Sequence, residues 1–256
     1  MKKYISLLLV LFLVSGCSFS FNINKNKEQK EEKKEETSVN TVFYEAAQKI
    51  IVNDLLDMVS VGTCGVESGL DFTNSNKLTV NELEDNYKYS MAYYNLYGYG
   101  IVNQVSKNDL SNSYEKIFGL KPTLPEQFGA SHVWLGFGIN SNSDYYSVVA
   151  GGGGCGGFNS HYLLDSYNLV DNNLYFNVIY YIKGASFDAN GEFKGVSISN
   201  NKVQEKVTFE IESTGEEITD VDIEKVKTNK DKFTQYRFNF KLNDDHYIFD
   251  SVEKIN

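Results

Sequence analysis

Cysteine is the residue in this chain best able to do chemistry, and each of the three, Cys17, Cys64 and Cys155, sits in a different setting. Cys155 lies in Gly151-Gly152-Gly153-Gly154-Cys155-Gly156-Gly157, with His161 and Asp165 close behind. A cysteine nucleophile needs a base to make its thiolate and N–H donors to hold an oxyanion, and these residue types supply both. An extracellular cysteine hydrolase using Cys155 and His161 is therefore the enzyme alternative. The spacing matches no cysteine-hydrolase pattern, and glycine loops beside a structural cysteine are the commoner arrangement. No residue is assigned a catalytic role on this basis.

Cys17 has a different context. Lys2 and Lys3 precede an apolar run from Ile5 to Val14, which has signal-peptide length and is too short for a transmembrane helix. The run ends in Val14-Ser15-Gly16-Cys17. This resembles the bacterial lipobox, in which the cysteine thiol receives a diacylglycerol and the chain is cut just before it. The resemblance makes residues 1–16 a lipoprotein signal peptide, Cys17 the lipid attachment site, and the membrane a partner through that anchor. The expected location is the extracytoplasmic side of the cell membrane. Cys64 and Cys155 then remain as an even pair outside the cytoplasm, where disulfides persist. Both lie in glycine-flanked loops whose flexibility eases disulfide geometry, so a Cys64–Cys155 bridge is favoured over two free thiols. Such a bridge would exclude Cys155 as a nucleophile.

Other constellations carry less. The four-glycine run has no Lys-Ser or Lys-Thr after it and no helix pattern, so the phosphate-loop and dinucleotide fingerprints both fail. His132, His161 and His246 are scattered, and Asp188-Ala189-Asn190-Gly191-Glu192 reads as a hairpin turn rather than a calcium loop. No metal and no cofactor are expected. Tyr87, Tyr89, Tyr93, Tyr94, Tyr97 and Tyr99 could line a carbohydrate or peptide groove, because tyrosine offers an apolar face with a polar tip. Packing of a helix on a sheet explains them more simply.

Charge narrows the partners. The chain carries 24 basic and 34 acidic side chains, a formal balance of −10, and its single arginine is Arg237. Such a surface repels phosphate backbones and anionic headgroups over most of its extent, so neither nucleic-acid binding nor a polybasic membrane patch is expected. Loss of Lys2 and Lys3 with the signal makes the exported part more acidic still.

These residues must be positioned by elements that the spacing predicts. Residues 17–40 form a lipidated N-terminus and a charged tether, centred on Lys25 to Glu36 and lacking an apolar stripe, so it is expected to be disordered. Residues 41–256 read as a single domain. Helical spacing predicts helices over 42–61, 79–96 and 107–118. The second is expected to open with Thr79 as N-cap, Glu82 closing a capping box and Leu78 stapled to Leu83; the third runs from Ser106 to Gly119. From Ser131 the period changes to two, giving about eight strands in hairpin order. Asn140 to Ser143, Asp171-Asn172-Asn173, Asn190-Gly191 and Asn243-Asp244-Asp245 are the predicted turns. Helices first and strands afterwards mean α+β, with helices packed on an antiparallel meander sheet.

The lipobox, the Lys/Glu tether, Gly154 to Gly157, Tyr114 to Gly119 and the ending Tyr236 to Lys241 with Tyr247 to Glu253 together resemble a loose group of uncharacterised lipoproteins of low-GC Gram-positive and cell-wall-poor bacteria. That resemblance implies surface exposure and lends no catalytic residue. The element order also resembles cystatin-like and NTF2-like cones, which bears on fold alone. The expected role is a non-catalytic domain that binds a ligand or protein through its sheet or its tyrosine-bearing helix, with a purely structural envelope component as a further alternative.

Overall fold

A computed structural model describes residues 32–61, 70–139, 143–151, 158–187, 190, 192–200, 209–212 and 219–256. The chain divides into two compact units, Met1–Gln48 and Lys49–Asn256, and the second carries the core. The class is α+β: the described residues form four helices and eleven strands in antiparallel sheets, as the change of period predicts. No described helix is long and apolar enough to cross a membrane.

Helix α1 (Glu32–Val59) starts inside the stretch expected to be a disordered tether. The Glu- and Lys-rich sequence there is a good helix former even without an apolar face. In its last turns Val52, Met58 and Val59 are buried in the core while Ile50 is exposed. Helix α2 (Asp85–Tyr97) starts later than the capping motif predicts. The motif does form: the Thr79 backbone N–H and hydroxyl both donate to Glu82 Oε2, at 2.7 and 2.8 Å, and Leu78 and Leu83 are both buried. It closes a turn after strand β1 (Lys77–Thr79), because pairing with strand β11 (His246–Lys254) holds Leu78 extended opposite Val252. Helix α3 (Lys107–Phe118) matches its prediction at both ends. Ser106 Oγ accepts from the Asp109 N–H at 3.2 Å, and Gly119 closes the C-terminus at φ 66°.

The strands form two sheets rather than one. In the smaller, strand β2 (Gln104–Ser106) pairs with β5 (Tyr145–Gly151), which pairs with β4 (Leu135–Ile139), which pairs with β3 (Gln127–Ala130). The regular alternation expected from Ser131 is broken at its start by a 3₁₀ turn over Ser131–Val133, with Trp134 at φ 61°. The larger sheet is built on β7 (Asn173–Phe187). Strand β6 (Phe158–Val170) runs along one edge of β7, and β10 (Thr234–Asn243) followed by β8 (Phe193–Ser199) runs along the other. Strand β9 (Glu210–Glu212) extends β8, and β11 with β1 extends β10. The β6–β7 turn takes positive φ at Asp171 and Asn172, and the β10–β11 turn at Asp244, as their residue types suggest.

Alternation across β7 divides the large sheet into faces. Leu174, Phe176, Val178, Tyr180 and Ile182 enter the main core with Phe238, Phe240, Phe249 and Val252, and the buried stripes of α2 and α3 complete it. Burying aromatic side chains of this size contributes roughly 1.5–3 kcal/mol each, which makes this cluster the main source of stability. On the opposite face Ile179, Tyr181 and Ile198 form a second cluster with Val226 and Phe233. Val226 comes from helix α4 (Asp220–Thr228), which the apolar spacing does not reveal.

Candidate functional site

Cys17, Cys64, Cys155 and the glycine run from 152 to 157 lie outside the described residues, so the lipobox, the bridge and the nucleophile have no described geometry. His161 is described. It stands opposite Tyr181 in the β6–β7 register, and the two rings stack with centroids 5.2 Å apart. Burial, helped by the charge of Lys183, pushes its pKa down to about 4. Asp165 occupies the bulge between Leu164 and Ser166, and its carboxylate accepts from Lys230 Nζ at 2.9 and 3.2 Å. The carboxylate that would orient a catalytic imidazole is thus engaged with a lysine. His246 lies in the β10–β11 hairpin beside Asp245 Oδ1, at 3.1 Å. Among the described residues no three His, Cys, Asp or Glu side chains gather as a metal-ligand set.

The tyrosine stretch separates into two groups, with Tyr97 packed against Tyr93 at 5.0 Å between ring centroids. Tyr87, Tyr89 and Tyr93 are buried, and each hydroxyl donates to a backbone carbonyl: Val59 at 2.6 Å, Thr123 at 2.7 Å and Gly100 at 2.9 Å. Those three hold α2 to its surroundings. Tyr94 and Tyr99 form the second group, with His132. Helix α2 ends at Gly98, whose φ of 59° reverses the chain and whose N–H returns to the Tyr94 carbonyl at 2.7 Å. The reversal lays Tyr99 against Tyr94, with centroids 5.4 Å apart and planes at 83°. His132 completes a triangle, its ring 5.5 Å from Tyr94 and 5.7 Å from Tyr99. The 3₁₀ turn that carries it is held by the Ser131 N–H donating to Ser90 Oγ at 3.2 Å.

Electrostatics at this triangle follow from its partners. His132 Nε2 lies 3.1 Å from the Gly98 carbonyl oxygen, which can only accept, so the proton sits on Nε2. Nδ1 then carries the lone pair, buried and without a partner among the described residues. Burial pushes the imidazole down to about 4, leaving it neutral at pH 7. Asp57, near the end of α1, has its pKa raised by burial and by Asp54, and the Tyr94 hydroxyl turned toward it works in the opposite sense. Burial and the Asp57 charge raise both the Tyr94 and the Tyr99 phenols, keeping them protonated. Tyr99 is 62% exposed and its neighbour Ile101 71% exposed.

A second polar arrangement lies on the outer face of the large sheet. Asn177 donates to Ser166 Oγ at 2.9 Å, Arg237 Nε donates to Asn177 Oδ1 at 3.0 Å, and Arg237 reaches Glu253 at 3.5 Å. One row of side chains thus links strands β6, β7, β10 and β11. These groups satisfy one another, and the row reads as a solvated sheet face.

The tyrosines stand out in the sequence, but their meeting with His132 does not. The one local signal was the Tyr97 to Gly100 segment, whose glycines allow the reversal. No family model matches the chain, and no curated protein and no solved structure matches it.

Proposed function

We propose that this protein is a lipid-anchored extracytoplasmic binding domain, tethered through Cys17 and engaging a ligand or protein partner at the C-terminal end of α2 without catalysing a reaction. The exposure of Tyr99 and Ile101 beside packed Tyr94 and His132 carries the binding part of this reading. Rigid aromatic groups that present an apolar face at low entropic cost are the usual anchors of interfaces. The engagement of Asp165 by Lys230 weighs against the hydrolase alternative.

Two experiments test the two halves. Wild type should incorporate labelled acyl chain and Cys17→Ala should not; equal labelling removes the anchor. A photo-crosslinking residue at position 99, in the full chain expressed in cells, should give a discrete adduct that the same residue at Val149 does not. Identical patterns at the two positions remove the binding surface.

A further inference from the structure

We propose that Lys183, Tyr181 and His161 form a receptor for a carboxylate on the outer face of the large sheet, a site independent of the binding reading above. Lys183 and Tyr181 are two apart on β7 and so lie on the same face, and His161 stands opposite Tyr181 on β6, its ring stacked on the phenol at 5.2 Å. The three side chains therefore make one patch. Lys183 is 7% exposed, and its ammonium has no hydrogen-bond partner among the described residues. Opposite it in the β7–β8 register is the buried Ile198, which offers no acceptor. Two carboxylates near this face are committed elsewhere. Asp165 accepts from Lys230 Nζ at 2.9 Å, and Asp222 accepts from the Thr219 N–H and hydroxyl at 3.1 and 3.0 Å.

All three side chains can donate. Lys183 supplies the positive charge. Burial and the Asp222 charge keep the Tyr181 phenol protonated, and burial with the Lys183 charge keeps the His161 imidazole neutral with one ring N–H. A buried ammonium without an acceptor costs free energy, and a bound anion removes that cost by forming a charge-assisted hydrogen bond. One positive charge calls for one negative charge. The Asp222 carboxylate, fully buried and close enough to act on Tyr181, repels a dianion, so a carboxylate fits better than a phosphate. Its two oxygens give separate acceptors for Nζ and for the phenol. His161 is half-buried on β6, which pairs only with β7 among the described strands, so the ligand approaches past that edge.

A free organic acid and an acidic peptide side chain both present a carboxylate, and the test separates them. The His161 ring resonances of the full chain are followed by NMR at pH 7 and fixed ionic strength during addition of acetate, of its neutral isostere acetamide, of inorganic phosphate, and of the peptide acetyl-Gly-Glu-Gly-amide. Acetate or the peptide should shift the ring saturably and bind at least about tenfold more tightly than acetamide or phosphate, a difference of roughly 1.4 kcal/mol. Lys183→Met should abolish that shift while melting no lower than wild type, and Tyr181→Phe should weaken binding about threefold to tenfold. Preference for acetate identifies the free acid as the source, and preference for the peptide identifies the acidic side chain. Equal binding of acetamide and acetate, tighter binding of phosphate, an acetate shift that survives in Lys183→Met, or no saturable shift with either carboxylate overturns the proposal.

Discussion

The ring of His161 lies against that of Tyr181 with centroids 5.2 Å and planes 19° apart, because the two residues face each other directly across the β6–β7 ladder. The stack buries an imidazole that would otherwise be charged below neutral pH. His132 is buried in the same sense within the tyrosine triangle. Each folded-state pKa is near 4, against about 6.5 for an unfolded histidine.

Between those values the unfolded chain binds more protons, so stability rises with pH. The contribution is complete above pH 6.5 and is lost as pH falls from 6.5 to 4, on the order of 3 kcal/mol per histidine. Asp57, whose pKa is raised, works weakly in the opposite sense. Burial pushes Asp250 up, but its bonds to Lys241 and Ser251 outweigh this, and the net lowering adds further loss at the acid end. Melting temperature followed from pH 7 to pH 4 should therefore drop. The double variant His132→Phe/His161→Phe should flatten the fall between 6.5 and 4, and an unchanged slope would assign it to other groups.

Lys183 shares the outer sheet face with His161 and Tyr181, is 7% exposed, and its ammonium has no hydrogen-bond partner among the described residues. A buried cation left unpaired costs free energy that an apolar side chain of similar length avoids. Lys183→Met should raise the urea midpoint by the equivalent of about 1–3 kcal/mol at unchanged m-value. A lower midpoint would mean that the ammonium is compensated.

Helix α4 is held by the reciprocal bonds of Thr219 and Asp222: the Asp222 N–H donates to Thr219 Oγ1 at 3.3 Å, and the Thr219 N–H donates to Asp222 Oδ2 at 3.1 Å. Thr219→Ala removes the first of these and should cost about 1 kcal/mol. The loss should be local. Amide exchange over Asp220–Thr228 should accelerate while β10 and β11 remain protected, because α4 covers the smaller outer cluster and not the main core. Equal acceleration in both places would show that the two clusters unfold as one unit.

Gly119 ends α3 at φ 66°, and a Cβ added there would meet Ile248 Cδ1 at 3.3 Å. Gly119→Ala should destabilise by about 1 kcal/mol from the left-handed conformation alone. Shortening the neighbour in Gly119→Ala/Ile248→Val should not recover that cost, and full recovery would assign it to the steric contact instead.

Much of the fold was legible where a decision is made within a few residues. Ser106 and Gly119 bracket α3, Asp171-Asn172 and Asp244 turn their hairpins, and alternation from Tyr236 to Leu242 marks a central strand. Thr79 and Glu82 show the limit of local grammar. Their bonds formed as expected, yet the pairing of Leu78 with Val252 made them the end of a strand. Strands β1 and β2, three residues each, are too short for a period to show. Helix α4 buries one apolar side chain, Val226, and so leaves no stripe in the sequence.

Sequence by itself determined the class, the sense of the charge and the local turns, since backbone torsions, alternation and net charge depend on near neighbours or on composition. Tertiary structure alone decided which polar groups would be matched. Asp165 was brought to Lys230, whereas His132 was brought to Tyr94 and Tyr99. Partners so far apart along the chain meet because burial of the apolar faces carries them there. The same burial sets whether a histidine such as His132 is charged or neutral.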